Sequence, residues 1–254
     1  MKFWLIILSV FLFCDGGYSQ ARAKPVSEAS PAFSRRTIAK RITIESDGWH
    51  LVGDLRIPPS KVPVPAVLML NKGNGSRDAY VALAEILSRK GIASLRLDLR
   101  AHGQSTNKGK FGPPFDAAMQ ELLMGSSDDV IASIRYLKNL EKIAPNRIGV
   151  IGASYSGEQM AIAGRVSGYG KAYVALSPGS FSPESINDLD RSGAVWLFVR
   201  SAEEKNLTGM HEEIRKKSRS ANLIEVPGSG HATDLLTASP ELKEMIVVWL
   251  QAHL

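Results

Sequence analysis

Short apolar segments alternate with amphipathic ones along most of the chain, and this alternation limits the possible folds. Segments 41–46 and 51–57 alternate apolar with polar residues and predict a β-hairpin. The later apolar segments are typical of buried strands, and segments with helical periodicity lie between or after them. A hairpin followed by repeated strand–helix pairs predicts an α/β domain with a mostly parallel sheet and helices on both faces. The later predicted strands are 66–70, 92–99, 147–153, 172–177, 194–200 and 223–228. The predicted helices are 80–91, 126–140, 157–166, 208–218 and 241–253.

The first 23 residues have the pattern of a secretory signal peptide. Lys2 is followed by an apolar run that is short for a membrane span, and ARA at 21–23 offers a cleavage site before Lys24. An uncleaved anchor and a lipid-modified Cys14 are the alternatives. We expect export to the periplasm or the medium, and no membrane span in the mature chain. An exposed lead-in at 24–40 then precedes a single domain at 41–254.

Composition excludes several kinds of site. Cys14 is the only cysteine, so a mature chain that begins at Lys24 has no disulfide, cysteine nucleophile or thiolate metal site. The formal net charge is +6, but no run of Lys and Arg exceeds three residues, and aromatic residues are not interleaved with basic clusters. These features do not favour nucleic-acid binding. We expect no cofactor and no metal.

A small-residue turn after the predicted strand 147–153 contains a candidate nucleophile. The known pattern for a serine on a sharp strand-to-helix turn is G-x-S-x-G. Gly152 and Ser154 fit this pattern, whereas Ser156 occupies the position of the second glycine and Gly157 follows one place later. On its own such a match is weak, so the prediction depends on the rest of the chain.

The partners that a nucleophilic serine requires follow two later strands. Glu203 and Glu204 come directly after strand 194–200, and His231 lies on a glycine-rich loop after strand 223–228. Acyl transfer by serine needs a general base, a carboxylate that orients this base, and amide donors for the oxyanion. The chain order serine, acid, histidine is one of the orders in which these groups occur. The other histidines are placed in the hairpin turn (His50), in a separate motif (His102), on a helix surface (His211) and in the last helical turn (His253).

Two segments give a specific resemblance. RLDLRAHGQS at 96–105 resembles the D-x-R-G-H-G-x-S segment of α/β-hydrolase fold proteins, with Ala101 in place of a common glycine. VPGSGHATDLL at 226–236 resembles the histidine loop of that fold, and the similarity is greatest to dienelactone-hydrolase-like and related serine esterases. The resemblance implies an eight-stranded sheet, with Ser154 as nucleophile and His231 as base. The matching residues of the first segment are Asp98, Arg100, His102, Gly103 and Ser105.

The resemblance also bears on the acid and on the loop after strand 92–99. In these proteins the acid stands about four places past its strand, which favours Glu204, with Glu203 as second choice. Asp188 and Asp190, after the preceding strand, are further candidates. Asp98, Arg100 and His102 are expected to hold their loop rather than to take part in chemistry.

The oxyanion donors are predicted from backbone positions. The His-Gly pair that is usual after the third strand of this fold is replaced here by NKGNGS at 71–76. Backbone amides stabilise the oxyanion, so the side chains there can vary. We expect the amides of Tyr155 and of Gly73 or Lys72 to serve. The Lys72 ammonium is either a partner for an anionic substrate group or a solvated loop lysine.

The segment between strands 172–177 and 194–200 is too short for the cap domain that larger relatives insert there. We therefore expect no large cap and a fairly open site, walled by residues 178–193 and 106–125. The sequence predicts a serine hydrolase that cleaves a small-molecule carboxylic ester through a Ser-His-Glu triad and an acyl-enzyme. Peptidase or thioesterase activity on the same residues stays open, and a non-catalytic binding protein with this fold is the alternative.

Overall fold

The computed structural model describes residues 36–254. The predicted signal peptide at 1–23, Cys14 and most of the lead-in therefore lie outside the described residues. The first strand starts at Ile38, earlier than the predicted strand 41–46. Ile38 pairs with Ile57 at the far end of the hairpin, which extends the strand to this point.

The strands form one sheet. They are β1 (Ile38–Ser46), β2 (Trp49–Ile57), β3 (Val64–Leu70), β4 (Ala93–Leu97), β5 (Ile143–Ala153), β6 (Ala172–Leu176), β7 (Val195–Ser201) and β8 (Ala221–Val226). Their spatial order is β1-β2-β4-β3-β5-β6-β7-β8. β2 is antiparallel to both of its neighbours, and every other pairing is parallel. The predicted mostly parallel, eight-stranded sheet is confirmed.

Helices cover both faces of this sheet. They are α1 (Val81–Arg89), α2 (Ala117–Met124), α3 (Ser126–Lys138), α4 (Ser156–Ser167), α5 (Pro183–Asp188), α6 (Thr208–Lys217), α7 (Leu235–Ala238) and α8 (Glu241–His253). Residues of α3 to α6 pack into the core on one face, and residues of α1, α7 and α8 pack into the core on the other. Along β3, Leu68 belongs to the first core and Met69 to the second, as the alternation of side chains in a strand requires. Because helices cover both faces of the sheet, the parallel strands are apolar on both sides and have continuous apolar sequences.

Three of the eight described α-helices were not predicted, and none of them builds a cap. One of these is α7, a four-residue helix between β8 and α8. α2 lies in the connection from β4 to α3, and α5 is a six-residue helix between β6 and β7. The expected absence of a large cap domain in this segment is confirmed for the described residues. Among their helices, none combines the length and the hydrophobicity that a membrane span requires.

The strand order creates a crevice at one edge of the sheet. β4 and β5 lie on opposite sides of β3, so the loops after β3 and β5 diverge and leave a crevice at the carboxyl ends of the strands. Crevices at such switch points are the usual ligand sites of open α/β sheets. The candidates that follow β3, β5, β7 and β8 lie at this edge. Asp188 and Asp190 do not, because they bond to residues that precede β6 and β8, at the opposite edge.

Buried charges hold the loop after β4. Asp98 is completely buried, pairs with Arg77 and accepts a hydrogen bond from the backbone N–H of Gln104 at 2.9 Å. Arg100 donates from Nε and Nη2 to the buried carboxylate of Asp129, with the shortest contact at 2.8 Å. The Arg100 backbone N–H donates to the same carboxylate at 2.8 Å. These contacts agree with the expected loop-holding role of Asp98 and Arg100.

The Arg100–Asp129 pair provides a test of this arrangement. Asp129→Ala should lower the free energy of unfolding by about 3–5 kcal/mol, because a buried guanidinium loses its main counter-charge. The remaining carboxylate near Arg100, that of Asp47, is exposed and 3.6 Å away. Asp128→Ala, an exposed neighbour in the same helical turn, should cost less than about 1 kcal/mol. Urea unfolding of both variants measures the difference, and equal losses would contradict this role for the pair.

Candidate active site

Ser154 occupies a sharp turn between β5 and α4. Its φ angle is 56°, in the left-handed region that residues other than glycine rarely adopt. Two backbone hydrogen bonds hold the turn: the Ser154 N–H donates to the Leu176 carbonyl at 2.9 Å, and its own carbonyl accepts from the Gly157 N–H at 3.0 Å. Ser154 is thereby fixed, partly exposed, at the carboxyl edge of the sheet.

Ser156 is accommodated in the position that a glycine commonly fills. Its buried hydroxyl accepts from the Ala153 N–H at 2.7 Å and donates to the Ala153 carbonyl at 2.9 Å. The close packing associated with the missing glycine occurs one residue later, because a Cβ atom at Gly157 would lie 2.9 Å from Cβ of Pro178. A Cβ atom at Gly152 would lie 2.7 Å from the Ser156 carbonyl oxygen. The departure from G-x-S-x-G therefore leaves the turn intact.

The structure brings Ser154, His231 and Glu204 together. His231 Nε2 lies 3.0 Å from Ser154 Oγ, and His231 Nδ1 lies 2.7 Å from Glu204 Oε1. With a proton on Nδ1, the imidazole donates to the carboxylate and accepts from the serine hydroxyl. The His231 side chain is 45% exposed, so a small molecule can reach both the imidazole and the hydroxyl.

The Glu204 carboxylate is held at both oxygens. Oε1 faces His231, while Oε2 accepts hydrogen bonds from Ser177 Oγ at 2.7 Å and from the Ser201 N–H at 2.8 Å. Burial alone would raise the pKa of Glu204, but the hydrogen bonds from His231, Ser201 and Ser177 outweigh it, and the pKa is lowered. Glu204 is therefore ionised at neutral pH and fixed in orientation.

The other acidic candidates lie elsewhere. Glu203 is exposed and its side chain forms no hydrogen bond or ion pair among the described residues. Asp188 accepts a hydrogen bond from a tyrosine hydroxyl at 2.6 Å, and Asp190 accepts from a serine hydroxyl at 2.6 Å. Of the acids considered from the sequence, Glu204 is the one that contacts His231.

The loop after β3 carries the predicted oxyanion donors. Within residues 36–254, the backbone N–H groups of Lys72, Gly73 and Tyr155 donate to no protein acceptor, so they are available to a ligand. The Lys72 side chain is not a solvated loop lysine, since its Nζ lies 2.6 Å from the carboxylate of Asp234. This ion pair joins the loop after β3 to the loop that carries His231.

Two further histidines are buried and make no contact with Ser154. His102 Nδ1 lies 2.8 Å from the Arg100 carbonyl, which agrees with a role in holding its loop. The placement of His211 on a helix surface was wrong, because this residue lies on the buried face of α6. Burial, with a smaller contribution from nearby Arg200, lowers the pKa of His211 to about 4. Neither imidazole contacts the serine.

The comparisons with known proteins find similarity in fold but not in sequence. No family model matches the sequence, and no curated protein matches it. The dienelactone hydrolase from Anabaena variabilis superposes with a TM-score of 0.68 at 18% identity, over 86% of this chain and 99% of that one. Est1E from Butyrivibrio proteoclasticus gives 0.63 at 20% identity, over 84% and 99%. A dienelactone hydrolase-like promiscuous phosphotriesterase from metagenomic libraries gives 0.67 at 16% identity, over 86% and 99%.

This chain has the α/β-hydrolase fold. The resemblance seen in the sequence segments is therefore confirmed, and the similar solved structures include dienelactone-hydrolase-like proteins. At these identities the similarity establishes the fold, while activity depends on the residues of the site.

Ser177 is a residue of the site that the sequence did not reveal. It directly follows β6, is completely buried and has a φ angle of 41°. Its hydroxyl donates to Glu204 and accepts from the Ala232 N–H at 2.9 Å, and Ala232 is the residue after His231. One hydroxyl thus joins the acid to the histidine loop. The available signal was a serine at the carboxyl end of a buried strand, which is too common to single out.

Ser177→Ala should lower kcat for an aryl ester by about 10- to 100-fold with little change in KM. This size of loss is expected because a hydrogen bond to the charged Glu204 carboxylate is removed. The substitution should also raise the pKa of Glu204 towards its ordinary value, because one of the hydrogen bonds that lower it is gone. Steady-state kinetics and an NMR titration of the carboxyl group measure the two effects.

Ser201→Ala is the matched control for this variant. Ser201 is equally buried and its hydroxyl has no partner among the described residues, while its backbone N–H donates to the same carboxylate oxygen. Its replacement should leave kcat and the pKa of Glu204 nearly unchanged. Similar losses in both variants would show that Ser177 acts only through packing.

Proposed function

We propose that this protein is a serine hydrolase that cleaves carboxylic esters through an acyl-enzyme. The observation that best supports this proposal is the continuous hydrogen-bonded chain from Glu204 through His231 to Ser154, with contacts of 2.7 and 3.0 Å. This is the arrangement that activates a serine hydroxyl as a nucleophile. The similar structures include a dienelactone hydrolase, which agrees with a hydrolytic reaction.

The geometry supports a two-step mechanism. Ser154 Oγ attacks the ester carbonyl carbon while His231 Nε2 takes the hydroxyl proton. The backbone N–H groups of Tyr155 and of Gly73 or Lys72 stabilise the oxyanion that forms. As the C–O bond breaks, His231 gives the proton to the departing alcohol and an acyl-Ser154 remains.

Water completes the cycle by the same route. His231 takes a proton from a water molecule, whose oxygen attacks the acyl carbon, and then returns the proton to Ser154 Oγ as the acid departs. Glu204 stays ionised throughout, holds the imidazole tautomer with the proton on Nδ1, and stabilises the imidazolium. Thioesters and amides are alternative substrates for the same groups, whereas a protein that only binds ligands would not need an activated serine.

A fluorophosphonate probe should label folded protein at Ser154, and peptide mass analysis locates the label. Ser154→Ala should prevent labelling and reduce ester hydrolysis on the order of 10⁴-fold, because such groups act as a unit. Its Tm should stay close to that of the wild type, since the hydroxyl is partly exposed. Folded wild-type protein that is not labelled would support the binding-only alternative, and activity within tenfold of wild type in the variant would identify another nucleophile.

The two adjacent glutamates provide a second, internally controlled test. Glu204→Gln should lower kcat by about 10³- to 10⁴-fold, because the imidazolium loses its stabilising charge and the required tautomer is no longer favoured. Glu203→Gln, at an exposed position without contact to His231, should cost less than about tenfold. The measurement is kcat for a simple aryl ester. A larger loss in the Glu203 variant would contradict the assignment of the acid.

A further inference from the structure

The connection from β4 to α3 exposes apolar side chains beside the candidate site. Phe115 is 59% exposed and Met124 is 56% exposed. Met124 is the last residue of α2, and no residue of this helix is buried. Large apolar side chains that cluster on a surface indicate a binding role more often than single exposed ones do. We call residues 111–124 the apolar hood.

The first end of the hood is attached to the wall of the site. The Phe111 ring stacks on His102 with centroids 4.7 Å apart, and His102 stacks on Tyr155, the residue after Ser154, at 5.5 Å. The edge of the Phe111 ring lies 3.4 Å from the position that a Cβ atom on Gly73 would take. Phe111 therefore borders both the loop of the proposed oxyanion donors and the rings behind the nucleophile.

The rest of the hood continues from this point to the helix behind the nucleophile. The Phe115 ring lies 5.4 Å from that of Phe111 and extends the aromatic surface into solvent. At the other end, Met124 Sδ lies 3.7 Å from Nε2 of Gln159, a residue of α4. Since α4 begins at the Ser154 turn, both ends of the hood are anchored to the elements that form the site.

The sheet order indicates which part of an ester would lie on this surface. His231 approaches Ser154 from the side of β8, whereas the hood follows β4, and β5 lies between these two strands. The departing alcohol must lie near His231 to receive its proton. The acyl chain is bonded to the carbonyl carbon on the side opposite the alcohol. It must therefore extend away from His231, towards the side of the hood.

The charges of the hood indicate what kind of acyl group fits. Residues 111–124 contain no Lys or Arg, and their only charged residues are Asp116 and Glu121. Asp116 caps α2 by accepting from the Met119 N–H at 3.0 Å. The nearby ammonium of Lys72 is already paired with Asp234. Residues 111–124 themselves therefore offer apolar contact and no cation for an acyl carboxylate.

We propose that the hood binds the acyl part of the substrate and that this part is apolar and uncharged. This inference rests on the proposed function and specifies its substrate class. It assigns Phe111, Phe115 and Met124 to substrate selection, and none of these side chains takes part in the bond-making steps. Exposed Phe115 and Met124 can be changed without disturbing the core.

The test uses 4-nitrophenyl esters that differ only in the acyl group. For the wild type, kcat/KM should be about tenfold or more higher for the octanoate than for the acetate, from burial of methylene groups. Phe115→Ser combined with Met124→Ser should remove this preference by lowering the octanoate value, while the acetate value stays within about twofold. Val62→Ser is the matched control: Val62 is 64% exposed but precedes β3, at the opposite edge of the sheet, and its replacement should leave both values unchanged.

Three outcomes would overturn the inference. A double variant that loses acetate and octanoate activity equally would show that the hood does not select the acyl group. Faster hydrolysis of an acid-terminated acyl ester, the 4-nitrophenyl hemisuccinate, than of the butyrate would contradict an uncharged acyl group. Folded wild-type protein that neither hydrolyses any of these esters nor reacts with a fluorophosphonate would refute the proposed function itself, and with it the inference.

Discussion

The left-handed backbone at Ser154 is the constraint on which the site depends. A residue other than glycine in this conformation costs of order 1–3 kcal/mol, and the surrounding structure has to supply that energy. Here β5 supplies it, because its buried apolar side chains fix the strand on both faces and the Ser156 hydroxyl closes the turn through two hydrogen bonds to Ala153. The strained turn therefore holds the Ser154 hydroxyl within hydrogen-bond distance of His231.

Backbone strain is concentrated at the same edge of the sheet. Five of the six described non-glycine residues with positive φ follow β3, β4, β5, β6 or β8; these five are Asn74, Ala101, Ser154, Ser177 and Ala232. Ser177 and Ala232 are joined by the hydroxyl that also reaches Glu204. Strained residues commonly cluster where geometry serves function, because relaxed loops would not hold side chains at fixed distances. The hydrogen bonds to Glu204 thus depend on two loops that are each held in an uncommon conformation.

The sequence predicted most of the fold because apolar periodicity reports burial. All eight strands were identified, but three helices were missed. α2 buries no residue, and α5 and α7 have only six and four residues, too few for a periodic pattern. Ser154, Glu204 and His231 were found from chain order and position after strands. The resemblance already favoured Glu204 over its neighbour Glu203, while the contact of Glu204 with His231 is seen only in the structure. His211 was misplaced because most of the residues around it in α6 are charged. The sequence therefore does not show that one narrow face of this helix is buried.

The fold separates the groups that would perform chemistry from those that would select a substrate. Ser154, Glu204 and His231 follow β5, β7 and β8, whereas the apolar hood follows β4 and is held independently by Arg100 and Asp129. The stacked rings of His102 and Tyr155, the Phe111 ring beside Gly73 and the contact of Met124 with Gln159 connect the two parts. Because the buried ion pair stabilises the hood's attachment without touching the histidine, side chains of the hood can change while the distances at Ser154 stay constant. Such independence allows one fold to serve many substrates, since recognition can vary without disturbing the strained turn.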